Sequence, residues 1–247
     1  MDGLVALAWG LFCGGASLVG ASVGWFSKPS PRVTAGMMAF GSGILMSAVA
    51  FELMGEAWHA GGLFATTIGF VVGAAMFTVG AVVLAEKGAR NRKRSVLPEK
   101  STAGVAALAI ALGSVLDGVP ESIVIGLSVL DGGVSLPIVA AVFLANVPEG
   151  MSSAVGMKKA GMSKTYVFGL WGGIAVLCGI GALGGYMLFH DAPAEYVAVA
   201  QGVAAGAIVA MIADTMIPEA FNETHNAAGL ITAAGFLTAF LLSHAFG

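Results

Sequence analysis

Eight long apolar stretches dominate the chain, and short polar segments separate them. Each stretch has the roughly 20 mostly apolar residues that an α-helix needs to cross the hydrocarbon core of a bilayer. The stretches lack the strict alternation of apolar and polar residues that is typical of membrane β-strands. The pattern therefore predicts an all-α membrane bundle with spans at about 3–26, 33–55, 61–86, 103–130, 134–157, 165–189, 194–220 and 226–246.

The composition supports a membrane protein rather than a soluble one. Of the 247 residues, 57% are hydrophobic and only 10% are charged, whereas soluble domains carry about 25% charged residues. The 37 glycines suit helices that pack closely in lipid. Basic residues do not cluster with aromatic ones, so nucleic acid is not an expected partner. We expect one transmembrane domain over residues 1–247, whose first stretch is a retained span rather than a cleaved signal peptide.

The basic residues predict the orientation of the spans. All 11 Lys and Arg residues fall in the first, third and fifth polar breaks, and positive charge marks the cytoplasmic side of a membrane. We therefore expect a multi-pass protein of the cell membrane with both termini outside, on the periplasmic or extracellular side. The longest cytoplasmic connection is the basic loop 87–100. The basic residues are Lys28, Arg32, Lys87, Arg90, Arg92, Lys93, Arg94, Lys100, Lys158, Lys159 and Lys164.

Two span ends resemble each other and indicate an internal repeat. The second span ends "ELMGEAWHAGG" and the seventh ends "TMIPEAFNETHNAAG", so that a Gly or Pro, a Glu-Ala pair, an aromatic residue and a His follow in the same order. The step from span two to span seven is odd, so the two copies would be inverted in the membrane. The pattern predicts a 3+2+3 inverted-repeat plan, which is typical of secondary transporters.

Acidic residues in the apolar stretches require an explanation. Asp117 and Glu121 in span four, Glu149 in span five and Asp214 in span seven are expected to be buried. A charged side chain at the centre of a bilayer costs roughly 2.5–3.5 kcal/mol on insertion scales. Because no span holds Lys or Arg, these acids are either protonated and hydrogen-bonded across helices or share a cation. Acids closer to helix ends, expected at the membrane interface, are Glu52, Glu56 and Glu219.

The spacing of the polar residues favours a shared cation. Asp117 and Glu121 are four residues apart and Asn146 and Glu149 are three apart, so each pair shares a helix face. Spans four and five are joined by a short loop and are expected to be antiparallel neighbours. The side-chain oxygens of the two pairs would suit a divalent cation bound between these spans. The expected ligands are Asp117, Glu121, Asn146 and Glu149. Residues expected beside the site or along the ion pathway are Ser114, Ser122, Ser152, Ser153, Cys178, Asp214, Glu219 and Glu52.

These motifs resemble those of the ZIP family of divalent-metal transporters. The likeness lies in "DGVPES" at 117–122, "ANVPEG" at 145–150 and "IADTMIPEA" at 212–220. Family members carry His-Asn-x-Pro-Glu-Gly in span four, where this chain has Asp117 and Gly118. Ala145 and Cys178 also replace polar residues of the family pattern. Losing the imidazole makes the site harder, which shifts the expected ion from Zn²⁺ toward Mn²⁺ or Fe²⁺ and leaves Mg²⁺ or Ca²⁺ open.

The resemblance implies a transporter of the zinc, manganese or iron class, with Cd²⁺ as a surrogate ion. It also implies an elevator-type alternating-access mechanism, in which the metal is a substrate rather than a cofactor. An alternative is a non-transporting ZIP-like sensor or scaffold with protonated acids. A second alternative is an intramembrane enzyme, but the spans contain no HExxH motif and no Ser/His/Asp set at matching depth, so we expect no enzymatic activity. The sequence does not fix the oligomeric state, and a homodimer remains open.

Overall fold

The computed structural model describes residues 1–27, 29–86, 103–130 and 133–246, with side chains for all of these except 103–110 and 246. In these residues all regular secondary structure is helical. The predicted cytoplasmic loop 87–100 lies outside the described residues. The α-helices are α1 (Asp2–Phe26), α2 (Pro31–Ala48), α3 (Met54–Leu84), α4 (Ala103–Ser128), α5 (Leu136–Lys159), α6 (Lys164–Phe189), α7 (Ala194–Met211), α8 (Ile217–Thr224) and α9 (Ala227–Phe246).

Serine caps fix three of the helix starts. The hydroxyls of Ser30, Ser135 and Ser163 accept hydrogen bonds from the backbone N–H three residues later, at 3.3, 3.4 and 3.2 Å. A capping oxygen satisfies a backbone donor that the first helical turn leaves without a partner. A proline in the first turn of α2 and of α5 adds to this signal because its missing N–H costs nothing there. Local sequence therefore sets where these helices enter the membrane.

The second and third predicted spans follow one another without a loop and meet at a break at Gly62. Within the described residues, seven helical runs are long and apolar enough to cross a membrane, and the run Pro31–Leu84 has 54 residues. The predicted polar break, "GEAWHAGG" at 55–62, is helical up to Gly61 and is interrupted at Gly62, whose φ is 76° and ψ is 177°. Before it, the five-residue π turn Val49–Leu53 joins α2 to α3. By length and composition the chain is a multi-pass membrane protein.

A second π turn divides the predicted seventh span. It covers Ile212–Met216, between α7 and α8, and Pro218 follows it at the start of α8. Proline cannot donate to the carbonyl four residues earlier and its ring crowds that carbonyl, so a widened turn accommodates it. The same order of elements occurs earlier in the chain. The helices α2 and α7 both have 18 residues, each precedes a five-residue π turn, and a Glu follows three residues after each π turn, at Glu56 and Glu219.

Two helix pairs form one part of the bundle. The helix α2 packs along α9, and α3 packs along α7. Each pair is parallel, because residues that follow one another in the first helix meet residues in the same order in the second. Gly36 lies beside Ile231 and Gly43 beside Phe236, while Gly61 lies beside Glu195 and Gly73 beside Val203. With α8, which packs on α2, these helices are called the frame group below.

The remaining helices form a second part, called the site group below. The helix α1 packs on both α5 and α6, and α4 packs mainly on α6. The pairs α1–α5 and α4–α6 are also parallel, since Gly20 lies beside Val147 and Trp25 beside Lys158, and Gly118 lies beside Cys178 and Gly126 beside Tyr186. The two groups meet chiefly where α2 packs on α5 and α4 packs on α7.

Glycine allows the paired helices of the frame group to approach to backbone contact. A Cβ added at Gly43 would overlap the carbonyl oxygen of Thr232, and one at Gly235 would overlap that of Phe40. The pair α3–α7 repeats this arrangement: Gly73 faces the Val203 carbonyl and Gly206 the Phe70 carbonyl. In lipid the hydrophobic effect does not drive helices together. Close packing at small residues drives their association instead.

Candidate functional site

The four predicted ligands are all buried in the site group. The exposed fraction is 1% for Asp117, 2% for Glu121, 7% for Asn146 and 4% for Glu149. Asp117 and Glu121 lie on α4 around Pro120, and Asn146 and Glu149 lie on α5 around Pro148. The prediction that Asp117, Glu121 and Glu149 are buried is confirmed. Whether these residues bind a metal stays a prediction.

Cys178 on α6 lies beside the segment of α4 that carries Asp117 and Glu121. Its thiol lies within electrostatic range of both Glu121 and Glu149, and within hydrogen-bond distance of the Ser122 hydroxyl. A Cβ on Gly118 would lie 3.3 Å from its Sγ, so α6 contacts α4 beside the acidic pair. Cys178, which replaces a polar residue of the ZIP pattern, therefore lies beside the candidate site.

The helix α1 provides the other wall. The side-chain amide of Asn146 donates to the backbone carbonyl of Cys13 at 3.3 Å, and the Cys13 thiol donates to the Val139 carbonyl at 3.7 Å. The same thiol lies within electrostatic range of Glu121 and Cys178. Thus α1 borders the polar side chains of α5, and α6 borders those of α4. Cys13 lies where α1 meets α5.

The predicted direct packing of α4 on α5 is slight. The close neighbour of α4 is α6, and that of α5 is α1. Among the described residues, no three His, Cys, Asp or Glu side chains approach closely enough to hold one metal ion.

The predicted accessory residues divide by burial. Ser114, Ser122 and Ser153 are buried in the site group, and Ser122 donates to the Gly118 carbonyl at 2.5 Å. Glu52 and Glu219 are partly buried. The prediction that Asp214 is buried is wrong: it lies exposed on the second π turn. Its position in an apolar run suggested burial, but the π turn directs it away from the helix interface.

Two side-chain contacts give the partly buried glutamates partners on other helices. Ser152 Oγ on α5 donates to Glu219 Oε1 on α8 at 2.6 Å, which connects the site group to the frame group. The hydroxyl of Ser243 on α9 donates to Oε1 of Glu52. The sequence identified Ser152, Glu52 and Glu219 as candidates, but not these partners.

The hydrogen bond between Gln201 and Glu56 is a buried polar contact that the sequence did not predict. Gln201 on α7 is 2% exposed, and its Nε2 donates to Glu56 Oε2 at 3.0 Å. A lone Gln in an Ala- and Gly-rich span, one turn or more inside the helix, is the pattern that could have identified it. The four histidines, His59, His190, His225 and His244, are exposed near helix ends, away from the buried acids.

Comparison with protein-family models and with curated proteins finds no match for this chain. The resemblance to the ZIP family therefore depends on the motif residues of the fourth, fifth and seventh predicted spans alone.

Proposed function

We propose that this chain is a ZIP-type transporter of divalent metal cations, with Asp117, Glu121, Asn146 and Glu149 as the ligands of the transported ion. The ion is of the zinc, manganese or iron class and is a substrate, not a cofactor. We propose no enzymatic activity. The single observation that carries this proposal is that three carboxylates and one amide are buried in the site group. The membrane portions of its four helices contain no Lys or Arg.

The energetic argument concerns the absence of Lys and Arg from the predicted spans. Ionised carboxylates at membrane depth cost roughly 2.5–3.5 kcal/mol each, and an opposite charge lowers that cost. A divalent cation neutralises two carboxylates at once and satisfies their oxygens. When the ion leaves, protons can replace it, because carboxylates that share a site hold protons more tightly than isolated ones. Proton exchange is therefore part of the proposed cycle.

The division into two helix groups supports an elevator motion. In that mechanism the site group, α1, α4, α5 and α6, would slide along the frame group and carry the ion across the membrane. The acids lie entirely within the site group, so the ligands would move together. The surfaces where α2 meets α5 are rich in small residues: Gly41 on α2 faces Ala145 on α5. Smooth helix faces of this kind permit sliding because few side chains interlock.

The symmetry of the helix pairs supports eight spans and a 3+2+3 inverted repeat. Exchanging α1 with α6, α2 with α7, α3 with α9 and α4 with α5 converts the parallel pair α2–α9 into α7–α3 and α1–α5 into α6–α4. The reciprocal glycine contacts match under the same exchange. A 54-residue helix would be roughly 80 Å long, far beyond the roughly 30 Å of a bilayer core. The break at Gly62 is therefore the expected reversal between two spans.

A second candidate function is a non-transporting sensor or scaffold of the ZIP type. The observation that favours it is that no three potential ligand side chains of the described residues come together around one point. In this alternative the acids are protonated and hydrogen-bonded. The two candidates differ in whether ions cross the membrane.

The test is ion uptake by purified protein in sealed liposomes, with Mn²⁺, Zn²⁺, Fe²⁺ and Cd²⁺ assayed separately. We expect uptake by the unmodified chain and its loss in Glu121→Gln and in Glu149→Gln. The matched control is Glu223→Gln, which changes an exposed acid at the end of α8 and should transport normally. Absence of uptake of all four ions by folded protein would favour the sensor. Normal uptake by either site variant would exclude the proposed ligands.

The proposed topology has its own test. Eight spans place both termini on the same side, outside the cell, whereas seven would place them on opposite sides. Alkaline phosphatase fused to either terminus should be active, and green fluorescent protein fused to the C-terminus by a Sec-dependent route should be dark. A fluorescent C-terminal fusion would contradict the predicted orientation of the last helix. Light scattering of the purified protein would report whether it is a homodimer.

A further inference from the structure

An apolar cavity of about 630 Å³ opens between the two helix groups, where α4 faces α3 and α7. Phe77 of α3 and Ala204 of α7 form part of its floor and are buried. Leu116 and Pro120 of α4 lie in the opposite wall and are half-buried. Among the described residues that line the cavity, the one polar side chain is that of Tyr196.

The mouth of this cavity faces outward from the bundle, toward the surrounding lipid of a membrane protein. Three residues at the mouth are largely exposed, namely Met76 at 63%, Val119 at 48% and Tyr196 at 63%. An empty apolar cavity leaves its lining atoms without dispersion partners, and water finds too few polar partners to fill it. Hydrocarbon from the bilayer is therefore the material that suits the cavity.

The length of the cavity matches one leaflet of a bilayer. Along α7 the lining runs from Tyr196, in the first turn, to Ala207, which is roughly 16 Å further along the helix. Half of the hydrocarbon core of a bilayer is roughly 15 Å thick. Phe189, at the end of α6, lines the same end of the cavity as Tyr196. Because aromatic residues at helix ends concentrate at the membrane–water interface, the cavity extends from headgroup level to about the bilayer midplane.

We propose that this cavity binds one acyl chain of a phospholipid from the leaflet that surrounds the Tyr196 end of the bundle. The acyl chain would lie along α7, with its ester end beside Tyr196 and Phe189 and its methyl end beside Phe77 and Ala207. The described lining contains no charged side chain, so the cavity would recognise the hydrocarbon rather than the headgroup. Since α4 belongs to the site group and α3 and α7 to the frame group, the acyl chain would lie between the two groups.

The test uses full-length protein in lipid nanodiscs that contain a photoreactive phosphatidylcholine. Its diazirine is placed on one acyl chain, either next to the ester or at the terminal methyl, and labelled residues are mapped by peptide mass spectrometry. Ala200→Phe fills the cavity, because Ala200 lines it. Ala75→Phe is the matched control, since Ala75 is exposed on α3 and does not line the cavity.

In the unmodified protein we expect the ester-proximal diazirine to label Tyr196 or Phe189 and the terminal diazirine to label Phe77 or Ala207. This dependence on depth is read without any substitution, so it does not require that Ala200→Phe folds. In folded Ala200→Phe, labelling of Phe77 and Ala207 should be lost, whereas Ala75→Phe should retain it.

Three results would overturn the acyl-chain site. The first is labelling by both probes only at outward-facing residues, such as Val71 and Val79, which are 61% and 62% exposed, because the lipid would then be annular. The second is equal labelling of Phe77 and Ala207 in folded Ala200→Phe and Ala75→Phe. The third is an unlabelled lining together with cross-links between two copies of the protein, which would assign this face to a dimer.

Discussion

Ser152 on α5 and Glu219 on α8 form a hydrogen bond of 2.6 Å between the two helix groups. Ser152 lies one turn after Glu149 on the same helix face, so this bond is next to the candidate ion site. Ser152 itself is fully buried. An elevator motion of the site group would have to break this bond, which makes it a measurable reporter of the relative position of the groups.

Ser152→Ala should loosen α8 without unfolding the bundle. A side-chain hydrogen bond contributes about 0.5–1.5 kcal/mol, or more if its acceptor is charged, so amide hydrogen exchange in Ile217–Thr224 should quicken about fivefold. Exchange followed by mass spectrometry provides the measurement. Ser153→Ala is the control, since it removes the neighbouring hydroxyl and keeps the Ser152–Glu219 bond. Unchanged exchange in Ser152→Ala would show that the bond does not hold the groups together.

Asp117→His should raise the preference for Zn²⁺ over Mn²⁺, if Asp117 is a ligand as proposed. Imidazole nitrogen suits zinc better than manganese, whereas carboxylate oxygen suits manganese. The change also removes a negative charge and should weaken every divalent ion, so the informative quantity is the ratio of the two uptake rates in liposomes.

The control for this substitution is Asp2→His, which introduces an imidazole at an exposed position at the start of α1. It should leave the ratio unchanged. An unchanged or lower Zn²⁺/Mn²⁺ ratio in Asp117→His would remove Asp117 from the proposed ligand set.

Gly235→Ala should destabilise the pair α2–α9. Its Cβ would overlap the Phe40 carbonyl, and overpacking of this kind costs about 1–3 kcal/mol. Gly229→Ala changes the same helix at a position where a Cβ meets no neighbour within 4 Å, and should not destabilise the protein. Thermal unfolding in detergent compares the two. Equal unfolding midpoints for the two variants would show that α2 and α9 can move apart to admit the Cβ without a loss of stability.

Gly62→Ala should also lower stability, for a reason of backbone geometry. Its φ of 76° and ψ of 177° lie in a region that is essentially restricted to glycine and costs other residues about 1–3 kcal/mol. Gly55→Ala, in the same helix with open space around it, provides the comparison. If Gly62→Ala unfolded at the temperature of Gly55→Ala, the break would not require this conformation.

Hydropathy predicted most helix positions because it depends on local composition. The first predicted span, 3–26, and the sixth, 165–189, differ from α1 and α6 by a residue at one end. The predicted break "GEAWHAGG" at 55–62 contains the point of interruption, Gly62, but the polar and small residues before it suggested a longer loop than the structure has, since they stay helical. The π turns were not predicted, since a widened turn leaves no composition signal of its own.

Burial of Glu121 and Glu149 could be predicted, but the helices that pack on α4 and α5 could not. The expense of an acid in lipid indicated that Glu121 and Glu149 face protein. Loop length suggested that α4 packs on α5, yet a short loop does not require extensive contact. The partners are decided by distant small residues, such as Gly150, whose added Cβ would overlap the Ser17 carbonyl on α1. Such pairings join residues far apart in sequence, and a single chain does not reveal them.

The parallel pairing of α2 with α9 and of α3 with α7 has a consequence for biosynthesis. The ribosome delivers α2 and α3 long before their partners, so the backbone faces at Gly43 and Gly73 first meet lipid rather than protein. They close only when residues 194–246 have entered the bilayer. The first half of the chain must therefore persist in the membrane as separate helices. A nascent chain halted after α6 would present two unfilled glycine surfaces to membrane chaperones and proteases.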